Sequence, residues 1–513
     1  MNDHKEKTRT QKAKLNMFFS LLQQGIAFVC GLIVPKMMLN AFGSEAYGAT
    51  ASIATFLAYI TLLEGGVGAV TRSALYKALA GKSNEQVSAV ITETKSFYRK
   101  IAFAFTLYVL IIACFYKQIS HNTVFDYWYS FGLVIVIALS TFAEYFVGIS
   151  YSLLLQADQM NYIVMIFRII TTVLNTICII VLTFLKCDLI IVKLLSGIIF
   201  VIRPVLLSIY VKRRYKLVTI NQTEKLLVNK KTAIGQHIAW ALHNNTDITV
   251  LTIFVGEATV SVYSVYNMVI AQLQSILSSF SSGMEAVFGN MYANKEQENL
   301  QKAFGYYETF ISLIGVALFS IASIMIVPFV RIYTSGLSDA KYDNPNFAIV
   351  LIIATMLYVF RMPYSQIIIA AGQFKETRMA AYGEAIINIV SSIILVIHFG
   401  IVGVAIGTVL ATLFRLAFYV SFLSRHILQR GVFIWIKRMA INSCLFIFFY
   451  IIGSEVVSKV SIDNYLDWII ISLIVSLIVG IVTFITNLAL YRDDMLEIIH
   501  KGFGKMSFKN KKE

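Results

Sequence analysis

About fourteen apolar windows of roughly 17–25 residues, separated by short polar breaks, leave this chain few folds to choose from. They run 15–39, 47–70, 101–117, 128–150, 161–184, 188–211, 233–254, 261–283, 305–331, 347–369, 379–398, 401–423, 439–458 and 468–490. In hydrocarbon a backbone must satisfy its own N–H and C=O groups, and windows this long do so as helices. Composition agrees: 58% of the 513 residues are hydrophobic and 14% charged, against about 45–50% and about 25% in a soluble domain. The polar, basic start Met1 to Lys14 leads into an apolar run, Leu15 to Leu39, too long for a signal peptide's core of roughly 7–15 residues. That run reads as a first permanent span, and the fold class expected is all-α integral membrane.

The windows are not independent. Gly43 answers Gly256, Gln23 answers Gln236 and Gln24 answers His237, all about 213 positions apart. The stretch Leu153 to Gln159 answers Ile367 to Gln373 at nearly the same spacing. Six windows separate each residue from its partner, and an even number returns the chain to the same side. The pattern therefore predicts parallel repeats about an axis along the membrane normal. The organisation expected is a tail (1–14), an N-lobe (15–211), a basic linker (212–232), a C-lobe (233–423), two further spans (424–490) and a basic tail (491–513). Bodies of this kind hold a site between their halves and move something across the bilayer.

Net charge is +15, which in a soluble protein would raise nucleic-acid binding. With the N-terminus placed inside, roughly 32 of the basic residues fall in inner loops and tails, so the excess is an orientation signal and a contact for anionic lipids. Both termini are expected in the cytoplasm. Cys30, Cys114, Cys178, Cys187 and Cys444 lie in or beside apolar windows without CxxC spacing, which suits packing rather than metal binding. No phosphate loop, HExxH, GxSxG or DFG element occurs, and the outer loops are short, so no enzyme activity, catalytic residue or metal is expected.

The run Phe42 to Gly48, followed by Glu64-Gly65-Gly66-Val67-Gly68, resembles the opening of bacterial polysaccharide flippases (O-antigen and capsule repeat-unit flippases). These belong to the multidrug/oligosaccharidyl-lipid/polysaccharide exporter superfamily. Val255 to Tyr263 is a looser copy, and Leu154 to Ala157 and Ala370 to Gln373 also look like family features. The resemblance implies movement of undecaprenyl-diphosphate-linked oligosaccharide from the inner to the outer leaflet of the bacterial cytoplasmic membrane, by alternating access. It implies a role in lipopolysaccharide, capsule or exopolysaccharide assembly, beside glycosyltransferases and a polymerase. The alternative is a cation-coupled drug antiporter of the same fold. Drug exporters of the superfamily often carry an acid in the first span, where this chain has Gln23 and Gln24. A membrane polysaccharide polymerase or ligase is the third reading, against which the short outer loops stand. No cofactor is expected beyond coupling to H+ or Na+.

Charges inside the windows each ask for a reason, because mid-bilayer placement costs at least about 2.5–3.5 kcal/mol on insertion scales. They are Glu64, Glu144, Arg168, Arg203, Asp247, Glu285, Arg361, Glu384 and Arg415. Arg361 is the preferred cargo contact, since a guanidinium holds phosphate bidentately and Pro363 nearby would widen a cavity; the competing assignment is a pair with Glu384. Arg203 and Arg415 recur in equivalent places and suggest anchors for inner head groups. Gln23, Gln24 and Gln236 with their amides, and His237 with its imidazole, would line a cavity. Window seven carries His243, Asn244, Asn245, Thr246 and Asp247 in a row, predicting a wet and locally broken helix; Asn244 and Asn245 are further cargo candidates. Asp247, His243 and Glu64 are candidates for a coupling ion, and Gly65, Gly66 and Gly68 for close packing or a hinge.

Overall fold

A computed structural model describes residues 8–81, 83–120, 123–215, 217–218, 234–281 and 283–503. Among the described residues all regular structure is helical. The first half holds α1 (Arg9–Ala58), α2 (Val67–Ala80), α3 (Asn84–Ser120), α4 (Tyr127–Ala143), α5 (Ile149–Ala157), α6 (Asn161–Phe184) and α7 (Leu189–Arg214). The second holds α8 (Ile234–Phe254), α9 (Glu257–Ser281), α10 (Met284–Ala293), α11 (Gln297–Tyr333), α12 (Pro345–Ala370) and α13 (Phe374–His426). After it come α14 (Val432–Ser458), α15 (Tyr465–Leu490) and the short α16 (Arg492–Phe503). Side-chain caps fix several starts: Asp126 accepts from Tyr129 N at 2.7 Å, and Asn344 caps α12 ahead of Pro345.

Eleven of the helical stretches are long and apolar enough to cross a membrane. Two of them are double, since α1 breaks at Gly43 (φ 82°, ψ 175°) and α13 at Gly400 (φ 55°, ψ −131°), backbone regions open to glycine. With the more polar α8, the fourteen expected windows are accounted for, and the all-α membrane class stands. Two boundaries need correction. Window 47–70 is one α-helix only to Ala58; a 3-10 turn (Tyr59–Glu64) and the left-handed pair Gly65 and Gly66 then lead into α2. Window 101–117 is the lipid-facing end of α3, which begins at Asn84. Its first turns are amphipathic, burying Val87, Val90, Ile91, Thr94 and Tyr98 on one face, so an apolar window does not register them.

The repeat is written into the backbone. Left-handed residues recur at the same spacing: Gly43 and Gly256 (φ 82° and 116°), Gln159 and Gly372 (57° and 69°), Lys186 and Gly400 (53° and 55°). The helix ends match too, Met160 N bonding Leu155 O at 2.7 Å and Gln373 N bonding Ile368 O at 3.0 Å, the long-range bond of a left-handed cap. An interhelical bond recurs as well. Ser196 donates to Asn175 at 2.5 Å between α6 and α7, and Asn388 to Thr408 at 3.0 Å across the two segments of α13.

The chain divides into two compact units, Met1–Ser264 with Leu337–Ala340, and Val265–Gly336 with Lys341–Glu513. In the first, α1 packs along α6, where Asn16 bonds Gln159 O and Tyr162 N at 2.8 and 2.7 Å. Beyond Gly43, α1 meets α8 and the start of α9: Ser52 bonds Thr252 at 2.7 Å, Tyr59 bonds Thr249 at 3.0 Å, and Gly48 lies against the Glu257 backbone. Asp339 accepts from Ser44 N and Oγ at 2.6 and 2.7 Å, closing the Gly43 turn. In the second unit α11 packs on α12, α14 and α15, with Ile324, Met325, Phe449, Val457 and Val479 in a common core. Small residues bring the two segments of α13 together: a Cβ on Gly403 would meet Leu395 O at 2.1 Å. The expected linker (212–232) lies largely outside the described residues, as do 1–7 of the first tail and 504–513 of the last.

Candidate functional site

In the second unit Glu384 is fully buried and accepts from both Arg361 of α12 and Arg415 in the second segment of α13. Arg415 also bonds the Tyr419 hydroxyl at 2.9 and 2.7 Å, and Arg361 lies 4.7 Å over the Tyr358 ring. One carboxylate between two guanidiniums leaves a net positive charge away from water, held only because each group is hydrogen-bonded. Arg361 is thus paired in the way its competing sequence assignment described, and a phosphate would have to displace Glu384 to reach it. Pro363 sits inside α12, which stays helical on both sides of it.

The first unit carries a related cluster of one carboxylate and two guanidiniums, Glu144, Arg168 and Arg203. Of these only Arg203 stands at the repeat position of its counterpart, Arg415; Glu144 and Arg168 lie about one helical turn away from the repeat positions of Arg361 and Glu384. Arg203 bonds Glu144 at 2.9 Å, while the exposed Arg168 lies within electrostatic reach of both. Arg203 and Arg415 are therefore ion-paired across helices, which corrects the expectation that they anchor lipid head groups. A carboxylate one helix away gives each guanidinium a counter-ion in place, and the close pairing offsets the desolvation that burial costs. Glu144 opens a π-helical turn (Glu144–Gly148) between α4 and α5, and that extra residue aims Glu144 at Arg203 and the next residue, Tyr145, at Glu64.

Glu64 ends the 3-10 turn and accepts from Tyr145, whose ring lies 6.2 Å from that of Tyr98. Gly65 and Gly66 turn the chain there, and Gly68 faces Tyr98 and Leu153 at ordinary contact distance. Asp247 is buried and accepts from Tyr263 at 3.1 Å. The break expected in α8 does not occur. Asn244, Asn245 and Thr246 each donate to the carbonyl four residues back, at 2.7 Å, so the polar side chains satisfy themselves on an intact helix. Asn244 is exposed, Thr246 and Asp247 are buried, and His243 is half-buried, so the row is shared among faces. Gln23 and Gln24 are half-buried on α1, before its Gly43 break. Gln236 and His237 lie on α8, and their side chains fall outside the described residues.

A second buried centre was missed from sequence. Glu308 of α11 accepts from Tyr364 of α12, from Arg430 at 2.8 Å and from Arg438 of α14 at 3.0 Å. Arg438 also bonds Asp494 of α16 at 2.6 Å, and Thr309 bonds the same oxygen at 2.6 Å. Arg430 and Arg438 read as loop charges by composition. The available signal was the repeat: Glu308 and Tyr364 stand about 213 positions after Lys95 and Tyr151, which bond each other at 2.8 Å.

A MatE family model matches residues 233–394, about a third of the chain. No curated protein sequence matches. Among solved structures, the lipid II flippase MurJ in an inward closed conformation is similar over 93% of this chain and 99% of its own, at 14% identity and TM-score 0.67. An inward-facing multidrug resistance MATE family transporter of the MOP superfamily covers 78% and 95%, at 14% identity and TM-score 0.64. A MOP superfamily transporter from Pyrococcus furiosus covers 80% and 96%, at 13% identity and TM-score 0.56. The fold is that of MOP superfamily transporters, a multi-pass membrane architecture.

Proposed function

We propose that the chain is a flippase that moves undecaprenyl-diphosphate-linked oligosaccharide repeat units from the inner to the outer leaflet of the bacterial cytoplasmic membrane by alternating access. It catalyses no covalent chemistry, and both termini lie in the cytoplasm, in keeping with the inner excess of Lys and Arg. The observation that carries the reading is the length of the shared fold. Likeness to the flippase runs over 93% of this chain, and to the multidrug transporter over 78%. The difference is large enough to include α14 and α15, two spans beyond the repeat. Gln23 and Gln24, in place of a first-span acid, support a neutral hydrogen-bonding contact to sugar or diphosphate. Gln236, His237, Asn244 and Asn245 are assigned the same role. Arg361 joins them when Glu384 releases it, and Asp247, His243 and Glu64 are the groups assigned to ion coupling.

The test is reconstitution in vesicles holding a fluorescent lipid-linked oligosaccharide, with a membrane-impermeant quencher reading the outer leaflet. The protein should raise the quenched fraction above that of protein-free vesicles; an unchanged fraction overturns the flippase reading. The second reading, a cation-coupled drug antiporter, is favoured by the MatE match itself. It requires ion-driven dye export by the same vesicles.

A further inference from the structure

We infer that the outer face of α3, from Thr92 to Phe115, binds an anionic membrane lipid through the phosphate of its head group. Thr92, Lys95, Ser96, Arg99, Lys100 and Phe103 line a cavity of about 320 Å³. These six recur at helical spacing and form a single stripe. Among the described residues no carboxylate forms an ion pair with Lys95, Arg99 or Lys100. Glu93, at the flank of the stripe, is the one acid between Thr92 and Phe115 in the sequence. The Thr92 hydroxyl is committed to Ser88 O at 2.7 Å, so the Ser96 hydroxyl and three cations are the donors that suit phosphate oxygens.

The rest of the stripe says what kind of phosphate compound fits. Past Lys100 the same face turns apolar and stays open: Phe103, Leu107, Leu110, Ile111 and Phe115 are between 44% and 65% exposed. The cations therefore sit where a head group would, with a chain-length apolar track leading away from them into the bilayer. Phe146 closes one side, with the Arg99 guanidinium 5.2 Å from its ring and Phe103 edge-on at 6.3 Å. A soluble phosphate would use the cations and leave the track empty; a lipid uses both.

The internal repeat supplies an independent argument. Lys95 with Tyr151 corresponds to Glu308 with Tyr364, and the charge is reversed. In the second unit the chain answers Glu308 with its own Arg430 and Arg438. In the first unit the corresponding position is positive, is reinforced by Arg99 and Lys100, and is open to an anion from outside the chain.

The experiment uses the full chain in nanodiscs and does not measure transport, so its failure and that of the flippase reading are separable. A Phe103→Trp variant reports contact through quenching by brominated lipid, with the parent chain's signal subtracted. Brominated phosphatidylglycerol should quench at a lower mole fraction than brominated phosphatidylcholine. Adding Arg99→Gln and Lys100→Gln should reduce that preference by about thirtyfold, taking about 1 kcal/mol per basic residue. Competition separates the sources: displacement by an undecaprenyl diphosphate lipid assigns the site to cargo-type head groups, and resistance to it assigns a resident anionic phospholipid. Equal displacement by inorganic pyrophosphate overturns the lipid assignment. Equal quenching by both phospholipids, or a preference unchanged in the double variant, overturns the site. Native mass spectrometry of the parent chain, read for retained phospholipid, gives the answer without the tryptophan.

Discussion

Lys186 and Gly400 occupy matching places in the two halves, and each turns the chain between helices at positive φ. Both sit at φ near 55° where a helix ends and the chain turns back, yet Lys carries a Cβ that crowds the backbone there and glycine does not. Lys186→Gly should therefore stabilise the protein by about 0.5–1 kcal/mol, and Gly400→Ala should destabilise it by at least as much. Thermal unfolding of both variants in one detergent measures the pair, and the same sign for both would refute the equivalence. Glu384 gives a larger prediction. Glu384→Ala strands two buried guanidiniums and should cost about 3–5 kcal/mol. Replacing all three groups together (Glu384→Leu, Arg361→Met, Arg415→Met) should recover most of that stability while removing any cargo contact Arg361 makes. A triple variant no more stable than Glu384→Ala would mean that the ions hold the helices by more than mutual neutralisation.

At the scale of helices, the elements that face lipid were legible and those that face one another were not. Apolar windows found every span because hydrocarbon imposes composition directly on the sequence. They truncated α3, whose first turns have one buried and one basic face, and read through Gly65 and Gly66, which alter direction without altering hydropathy. Window seven misled for a related reason: its amides and hydroxyl bond their own helix, so a polar row did not break it. Partner choice was legible for Arg361 and Glu384, a pair the sequence offered as one assignment, whereas the matching bonds of Asn175 and Asn388 emerged only with the structure. Because both asparagines bridge neighbouring spans, Asn175→Ala and Asn388→Ala should each cost about 0.6 kcal/mol and at most about 1.7. A cost confined to one half would show that the two bonds are not equivalent. The close approach of Gly48 to Glu257 O should be less forgiving, Gly48→Ala costing about 1–3 kcal/mol by the same unfolding assay.

For the whole molecule, the two halves share turns and polar bonds but invert charge at Lys95 and Glu308. The backbone turns set the fold, so they tolerate little change; the charges answer to ligands and neighbours, which differ between halves. Reporter fusions after α7 and at the C-terminus should both report the cytoplasmic side, and opposite sides for the two would break the parallel repeat. The separation along the chain also bears on how the protein is made. Arg361, Glu384 and Arg415 emerge from the ribosome 23 and 31 residues from their partners, so each ion meets its counter-ion within a helix or two. Glu308 waits 122 and 130 residues for Arg430 and Arg438. During synthesis α11 therefore enters the bilayer with an unmatched carboxylate, and its release from the insertion machinery should lag until α14 arrives.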